Sequence, residues 1–209
     1  MPEISLTIDE PRGKPLCRFI FAHGAGAGLH SRFMEEMTHA LRAQGICVIR
    51  FEFPYMRARA ISGSWTRPDP PGVLEKTWIN VVGQAGDPSR LVIGGKSMGG
   101  RIASIVADGL GVKGLICMGY PFHPAGTPGN LRVAHLADLK TPALILQGAR
   151  DSLGSREEIA GYRLSPSIRL VFLDDGDHSF KPRKSSGRTH EQNLSQAVSE
   201  TVSFCKMLT

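Results

Sequence analysis

Residues 91–101, Leu91-Val92-Ile93-Gly94-Gly95-Lys96-Ser97-Met98-Gly99-Gly100-Arg101, decide how the rest of the chain is read. An apolar run enters a Gly-x-Ser-x-Gly turn, and Met98, Ile102, Ile105 and Val106 then recur at helical spacing. A serine between a strand and a helix occupies a sharp, strained turn, so the residues two before and two after it must lack side chains that would collide. Gly95 and Gly99 meet that demand. A helix starting at Ser97 aims its free N–H groups at negative charge developing there, and the Met98 N–H is the expected oxyanion donor.

Working outward, continuous apolar runs occur at residues 19–22, 46–51, 115–118, 143–146 and 168–173, as in strands buried on both faces. Helical patterns separate them: Phe33, Met37, Ala40 and Leu41, then Leu74, Trp78, Val81 and Val82, and finally Leu194, Ala197, Val198, Thr201, Val202 and Cys205 behind a Thr189/Gln192 capping box. Ile4, Leu6 and Ile8 alternate with polar residues, as in a half-exposed antiparallel edge strand. The alternation predicts one α/β domain over residues 1–209, with a mostly parallel sheet of about six to seven strands and helices on both faces. Residues 54–72, 119–140 and 174–189 read as loops rimming the carboxyl edge of that sheet. Neither 54–72 nor 119–140 is long enough for a helical cap, so the site should be shallow and open.

A serine is a weak nucleophile unless a base activates it and an acid orients that base, here expected in the order Ser, Asp, His. Asp151 ends the run 143–151, just past a buried strand and 54 residues after Ser97, and residues 119–137 hold no competing Asp or Glu. His178 follows the last strand, 27 residues beyond Asp151. The glycine-rich turn His23-Gly24-Ala25-Gly26-Ala27-Gly28 lets backbone approach a substrate, with the Ala25 N–H as second oxyanion donor and His23 holding the turn. A dinucleotide site at this turn fails on spacing, because Leu29 stands where G-x-G-x-x-G requires glycine.

The 209 residues carry a net charge of +6. Arg57, Arg59 and Arg67 against Asp69 give residues 54–72 a net +2, and Lys181, Arg183, Lys184 and Arg188 against Asp177 give residues 177–190 a net +3. Positive potential over the serine would attract anionic esters, so Arg57, Arg59, Lys181 and Tyr55 are the expected substrate-binding residues. Arg101, in the first helical turn, needs an acidic group or an anion to offset the helix dipole. Cys17, Cys47, Cys117 and Cys205 are far apart, without metal-ligand spacing, and are expected as reduced thiols. No basic leader or apolar stretch of membrane-spanning length occurs, so a cytoplasmic location is expected. No metal, cofactor, nucleic acid or membrane partner is expected, and the sequence leaves the oligomeric state open.

The motifs HGAGAG (23–28), FEFPYM (51–56), GGKSMGGR (94–101) and DHSFKPRK (177–184) together resemble a small lid-less branch of the α/β-hydrolase superfamily, similar to dienelactone hydrolases. That branch is largely uncharacterised in bacteria and has eukaryotic relatives among testis-expressed proteins and a chromatin-complex subunit. The resemblance implies a catalytic triad of Ser97, Asp151 and His178 and the cleavage of small esters or thioesters. Dienelactone hydrolase uses a cysteine where Ser97 stands, so its lactone specificity does not transfer. The alternative expectation is a non-catalytic hydrolase-like scaffold whose basic loops hold an acidic partner.

Overall fold

The computed structural model describes residues 4–208. Its strands are β1 (Thr7–Asp9), β2 (Cys17–Ala22), β3 (Ile46–Phe51), β4 (Leu91–Lys96), β5 (Gly114–Met118), β6 (Ala143–Gly148) and β7 (Ile168–Leu173). Its helices are α1 (Arg32–Ala43), α2 (Pro54–Ser62), α3 (Pro71–Ala85), α4 (Met98–Leu110), α5 (Arg156–Ile159) and α6 (His190–Met207). The seven strands form one sheet in the order β1-β3-β2-β4-β5-β6-β7, and every pairing except β1 with β3 is parallel. Runs buried at every position, such as Ile46–Phe51 with Arg50 its one charged residue, form its centre because a parallel strand covered on both faces has no solvent side.

Leu74, Trp78 and Val81 of α3 and Ile102 and Ala103 of α4 pack with one face of the sheet. Met34, Met37 and Leu41 of α1 and Ala197, Phe204 and Cys205 of α6 pack with the other. From β2 the chain winds outward to β3 and then crosses back to β4, which lies on the other side of β2. Connections leaving the carboxyl ends of β2 and β4 therefore diverge, and such a reversal opens a crevice where α/β sheets place ligands. Among the described residues, no helix is long and apolar enough to cross a membrane and no His/Cys/Asp/Glu cluster could hold a metal ion.

Two expectations need correction. Ile8 is 48% exposed, and Asp9 turns inward instead, because Arg50, buried in β3, takes its carboxylate at 3.1 Å and that of Glu35 at 2.8 Å. Ile4 and Leu6 pack on the core, but ahead of the short strand rather than within it. Residues 54–62 are helical rather than loop, begun by Pro54 in the first turn and stopped at Gly63 in the left-handed conformation. Only Tyr55 and Met56 of α2 are buried, so its sequence carries almost no helical periodicity.

Candidate active site

β4 runs straight into Ser97, whose φ of 51° and ψ of −116° are unfavourable for a residue with a side chain. The turn exists because its flanks are bare. A Cβ on Gly95 would lie 2.4 Å from the Ala22 carbonyl oxygen, and one on Gly99 2.6 Å from that of His23. These approaches pin the elbow against the end of β2. The Ser97 N–H donates to Met118 O at 3.0 Å, and the Arg101 N–H donates to Ser97 O at 3.0 Å, which closes the first turn of α4.

Three side chains from three loops converge here. His178 Nε2 lies 2.9 Å from Ser97 Oγ, and His178 Nδ1 lies 2.7 Å from Asp151 Oδ2. An ionised carboxylate only accepts, so Nδ1 carries the proton and Nε2 is left to accept from the serine hydroxyl. Asp151 is fully buried, and Oδ2 also accepts from Gln147 Nε2 at 2.9 Å while Oδ1 accepts from the Leu153 N–H at 2.9 Å. These donors replace the water that a buried carboxylate loses. The arrangement can draw a proton from Ser97 and hold the resulting imidazolium in place.

Gln147 was not singled out by the sequence. Its amide also donates to Tyr120 O and Gly154 O, at 3.2 and 3.0 Å, and accepts from the Tyr120 N–H at 2.8 Å, fixing the loop after β5 beside the acid. The readable signal was a glutamine at the end of an otherwise apolar buried strand.

Neither the Met98 nor the Ala25 N–H has an acceptor among the described residues, while the Gly24 and Ala25 carbonyls are both engaged. His23 Nδ1 donates to Gly24 O at 2.7 Å, and Tyr55 Oη reaches Gly24 O and Ala25 O at 3.2 and 3.1 Å. His23 Nε2 accepts from the Phe53 N–H at 3.1 Å, so the ring is the neutral Nδ1–H tautomer. Burial depresses its pKa from 6.5 to about 4, and Arg59 adds to that. As pH falls below 6.5 the unfolded chain takes up a proton that the native state refuses, so stability should fall by about 3 kcal/mol between pH 6.5 and pH 4 from this group. Urea unfolding across that range should show a shallower acid slope in His23→Asn than in the parent, and equal slopes would rule His23 out as the source.

Lys96, between Gly95 and Ser97, has turned away from the serine. Its buried ammonium donates to His178 O at 2.6 Å and lies 5.4 Å from the Phe33 ring centroid. Desolvation lowers its pKa from 10.5 to about 8, opposed by Asp151 and Asp177. Below pH 8 the desolvation cost is present in full, and stability from this group rises as pH climbs from 8 to 10.5, by about 3 kcal/mol in all. The lysine therefore opposes folding at neutral pH while holding the backbone that carries His178. Lys96→Met should raise the melting temperature at pH 7 by several degrees. A variant less stable than the parent at pH 7 would overturn this account.

The expected substrate-binding residues are placed less uniformly. Tyr55 is buried, with its hydroxyl on the Ala25 turn. Arg59 stacks over Tyr55 and Trp65, each 5.2 Å from the ring centroid, and bonds Thr66 O. Arg57 lines a cavity of about 610 Å³ with Ile4, His30, Glu52 and Pro54, and none of Ser97, Asp151 and His178 borders it. Lys181 is exposed, its backbone held by Asp177 and Arg150. Arg183 is paired with Asp175, and Arg188 is bonded to Asn193 and Gln196. Much of the loop charge is thus engaged within the protein.

A family model described as alpha/beta hydrolase domain matches residues 15–206. Among solved structures, the chain is similar to a lid-less α/β serine hydrolase from Xanthomonas campestris, at 19% identity and a TM-score of 0.69, over 97% of this chain and 87% of that one. It is similar to an α/β serine hydrolase homologue from Coxiella burnetii, at 21% identity and a TM-score of 0.68, over 95% and 89% of the two chains. A dienelactone hydrolase from Anabaena variabilis matches at 20% identity and a TM-score of 0.67, over 96% and 90%. At such identities the likeness is one of fold.

Proposed function

As the chain belongs to the alpha/beta hydrolase family, we propose that it is a serine hydrolase cleaving small carboxylic esters or thioesters, anionic ones by preference. Ser97 Oγ attacks the carbonyl carbon while His178 Nε2 takes the hydroxyl proton, and Asp151 holds the imidazolium. The Met98 and Ala25 N–H groups receive the oxyanion. His178 returns the proton to the departing alkoxide or thiolate, leaving an acyl group on Ser97. Water then attacks that acyl group with His178 as base, and the carboxylic acid leaves as the serine recovers its proton.

The observation that carries this reading is the unbroken chain of contacts from Ser97 to His178 to Asp151, at 2.9 and 2.7 Å. The absence of a cap among the described residues suits small substrates, and the basic loops at the carboxyl edge suit anionic ones. A fluorophosphonate probe followed by peptide mass spectrometry tests the reading: the adduct should sit on Ser97 and vanish in Ser97→Ala. A folded protein that takes no adduct would move the assignment to the non-catalytic scaffold.

A further inference from the structure

Arg101, Ser104 and Asp108 share one face of α4, being three or four residues apart. The segment 132–141 runs antiparallel along that face. At its far end the Asp108 carboxylate accepts from the Lys140 and Thr141 N–H groups, at 3.0 and 2.8 Å, and from Thr141 Oγ1 at 2.6 Å. One turn nearer the serine, Ser104 Oγ meets His135 Nε2 at 2.8 Å. Arg132 lies three residues before His135 on that segment, and Arg101 three residues before Ser104 on α4, towards the end where Ser97 stands. Arg132 is fixed through its backbone, donating to Phe122 O at 2.7 Å and accepting from Tyr120 Oη at 2.9 Å.

Both arginine side chains are half-buried, and among the described residues neither has a hydrogen bond or a carboxylate within 4 Å. Arg101 Nε is buried with no partner at all. Asp108, further along the same face, is saturated by the three donors just named. His135 supplies no charge: the single Ser104 hydroxyl proton goes to Arg101 O at 2.7 Å, so Nε2 must donate to Ser104, and burial followed by Arg101 lowers the imidazole pKa below its usual value. Burial and then Arg101 likewise lower the pKa of Arg132. Two unpaired cations near the positive end of a helix, one with a buried unsatisfied donor, are unfavourable unless an anion compensates them.

We infer that Arg101 and Arg132 form an anion subsite beside Ser97 that takes a carboxylate or phosphate group of the ester substrate. The inference rests on the serine-hydrolase reading for the identity of its ligand, but not for its detection. It also shifts the basis of anionic preference: exposed loop cations such as Lys181 steer, while this pair binds. Guanidinium groups stay charged at any working pH and present forked donors that match a carboxylate or phosphate.

Binding can be measured without turnover in the Ser97→Ala protein, by calorimetric titration of monomethyl succinate against the neutral dimethyl succinate. The anionic monoester should bind at least tenfold more tightly, and Arg101→Gln or Arg132→Gln should each remove most of that preference. Arg101→Lys, which keeps the charge but not the fork, should restore it only in part. Inorganic phosphate should displace the monoester, whereas chloride at equal ionic strength should not. Equal binding of the two esters, a preference that survives both Gln substitutions in folded variants, or displacement by chloride as effective as by phosphate would each overturn the inference. Because Ser97 is absent from this assay, failure of fluorophosphonate labelling in the parent protein would count against the hydrolase reading alone.

Discussion

His178→Ala should lower kcat for a small activated ester such as 4-nitrophenyl acetate by about 10⁴-fold or more while leaving the melting temperature close to that of the parent. The size follows from what the imidazole does. Among the described residues Ser97 Oγ has one basic group in reach, His178 Nε2 at 2.9 Å, and without it the hydroxyl must lose its proton to water. Lys96 cannot substitute, since its ammonium is held on His178 O. Asp151→Asn should give a loss of similar order for a different reason. An amide nitrogen facing Nδ1 favours the Nε2–H tautomer, which then presents a proton to Ser97 instead of a lone pair. The two variants should differ in rescue, because the cavity left by His178→Ala can admit imidazole from solution whereas the Asn variant still holds its ring in the wrong state. Turnover in His178→Ala within tenfold of the parent would remove the histidine from the mechanism.

The order of these three residues was legible because each sits at the end of an apolar run, and a parallel sheet sends such ends to one edge. Position within the edge was not legible. Gln147 looks like any polar residue at a strand terminus until the loop after β5 is seen folding onto its amide. The charge count over residues 177–190 was correct as arithmetic, but net charge says nothing of pairing, and Arg183 spends its cation on Asp175 eight residues away. Arg101 was readable as a cation in an unfavourable place, whereas Arg132, 31 residues later, could be joined to it only by knowing that segment 132–141 lies along α4. Helix α2 escaped periodicity because seven of its nine residues keep some contact with solvent. β1 was misread in phase because a carboxylate pairing with buried Arg50 outweighs burial of one isoleucine.

Gly94→Ala should be the most destabilising single-methyl addition in the central sheet, costing about 4 kcal/mol or more and leaving little native protein. A Cβ there would lie 1.8 Å from the Ile116 carbonyl oxygen and 2.7 Å from its carbon. These are backbone atoms of β5, which pairs with β4 in a register that sets Gly94 beside Ile116. A flexible side chain could swing aside, but Ile116 is held by β6 on its other edge, pairing with Leu144, and is itself fully buried. Relief therefore requires β4 and β5 to part in the middle of the sheet, breaking ladder hydrogen bonds that no water can replace. Any separation is transmitted three residues on to Ser97, whose N–H is bonded to Met118 O at the end of β5. A small population that still folds should accordingly lack the 2.9 Å approach to His178 and fail to label with the fluorophosphonate. Gly109→Ala is the matched control: it lies on α4 with nothing within 4 Å of an added Cβ, so the same methyl there should stabilise by up to about 1 kcal/mol through helix propensity. Urea denaturation of the two variants should move the midpoint in opposite directions. A Gly94→Ala protein that unfolds at the parent midpoint would mean that β4 and β5 are free to adjust, and that the geometry of the elbow does not depend on their close approach.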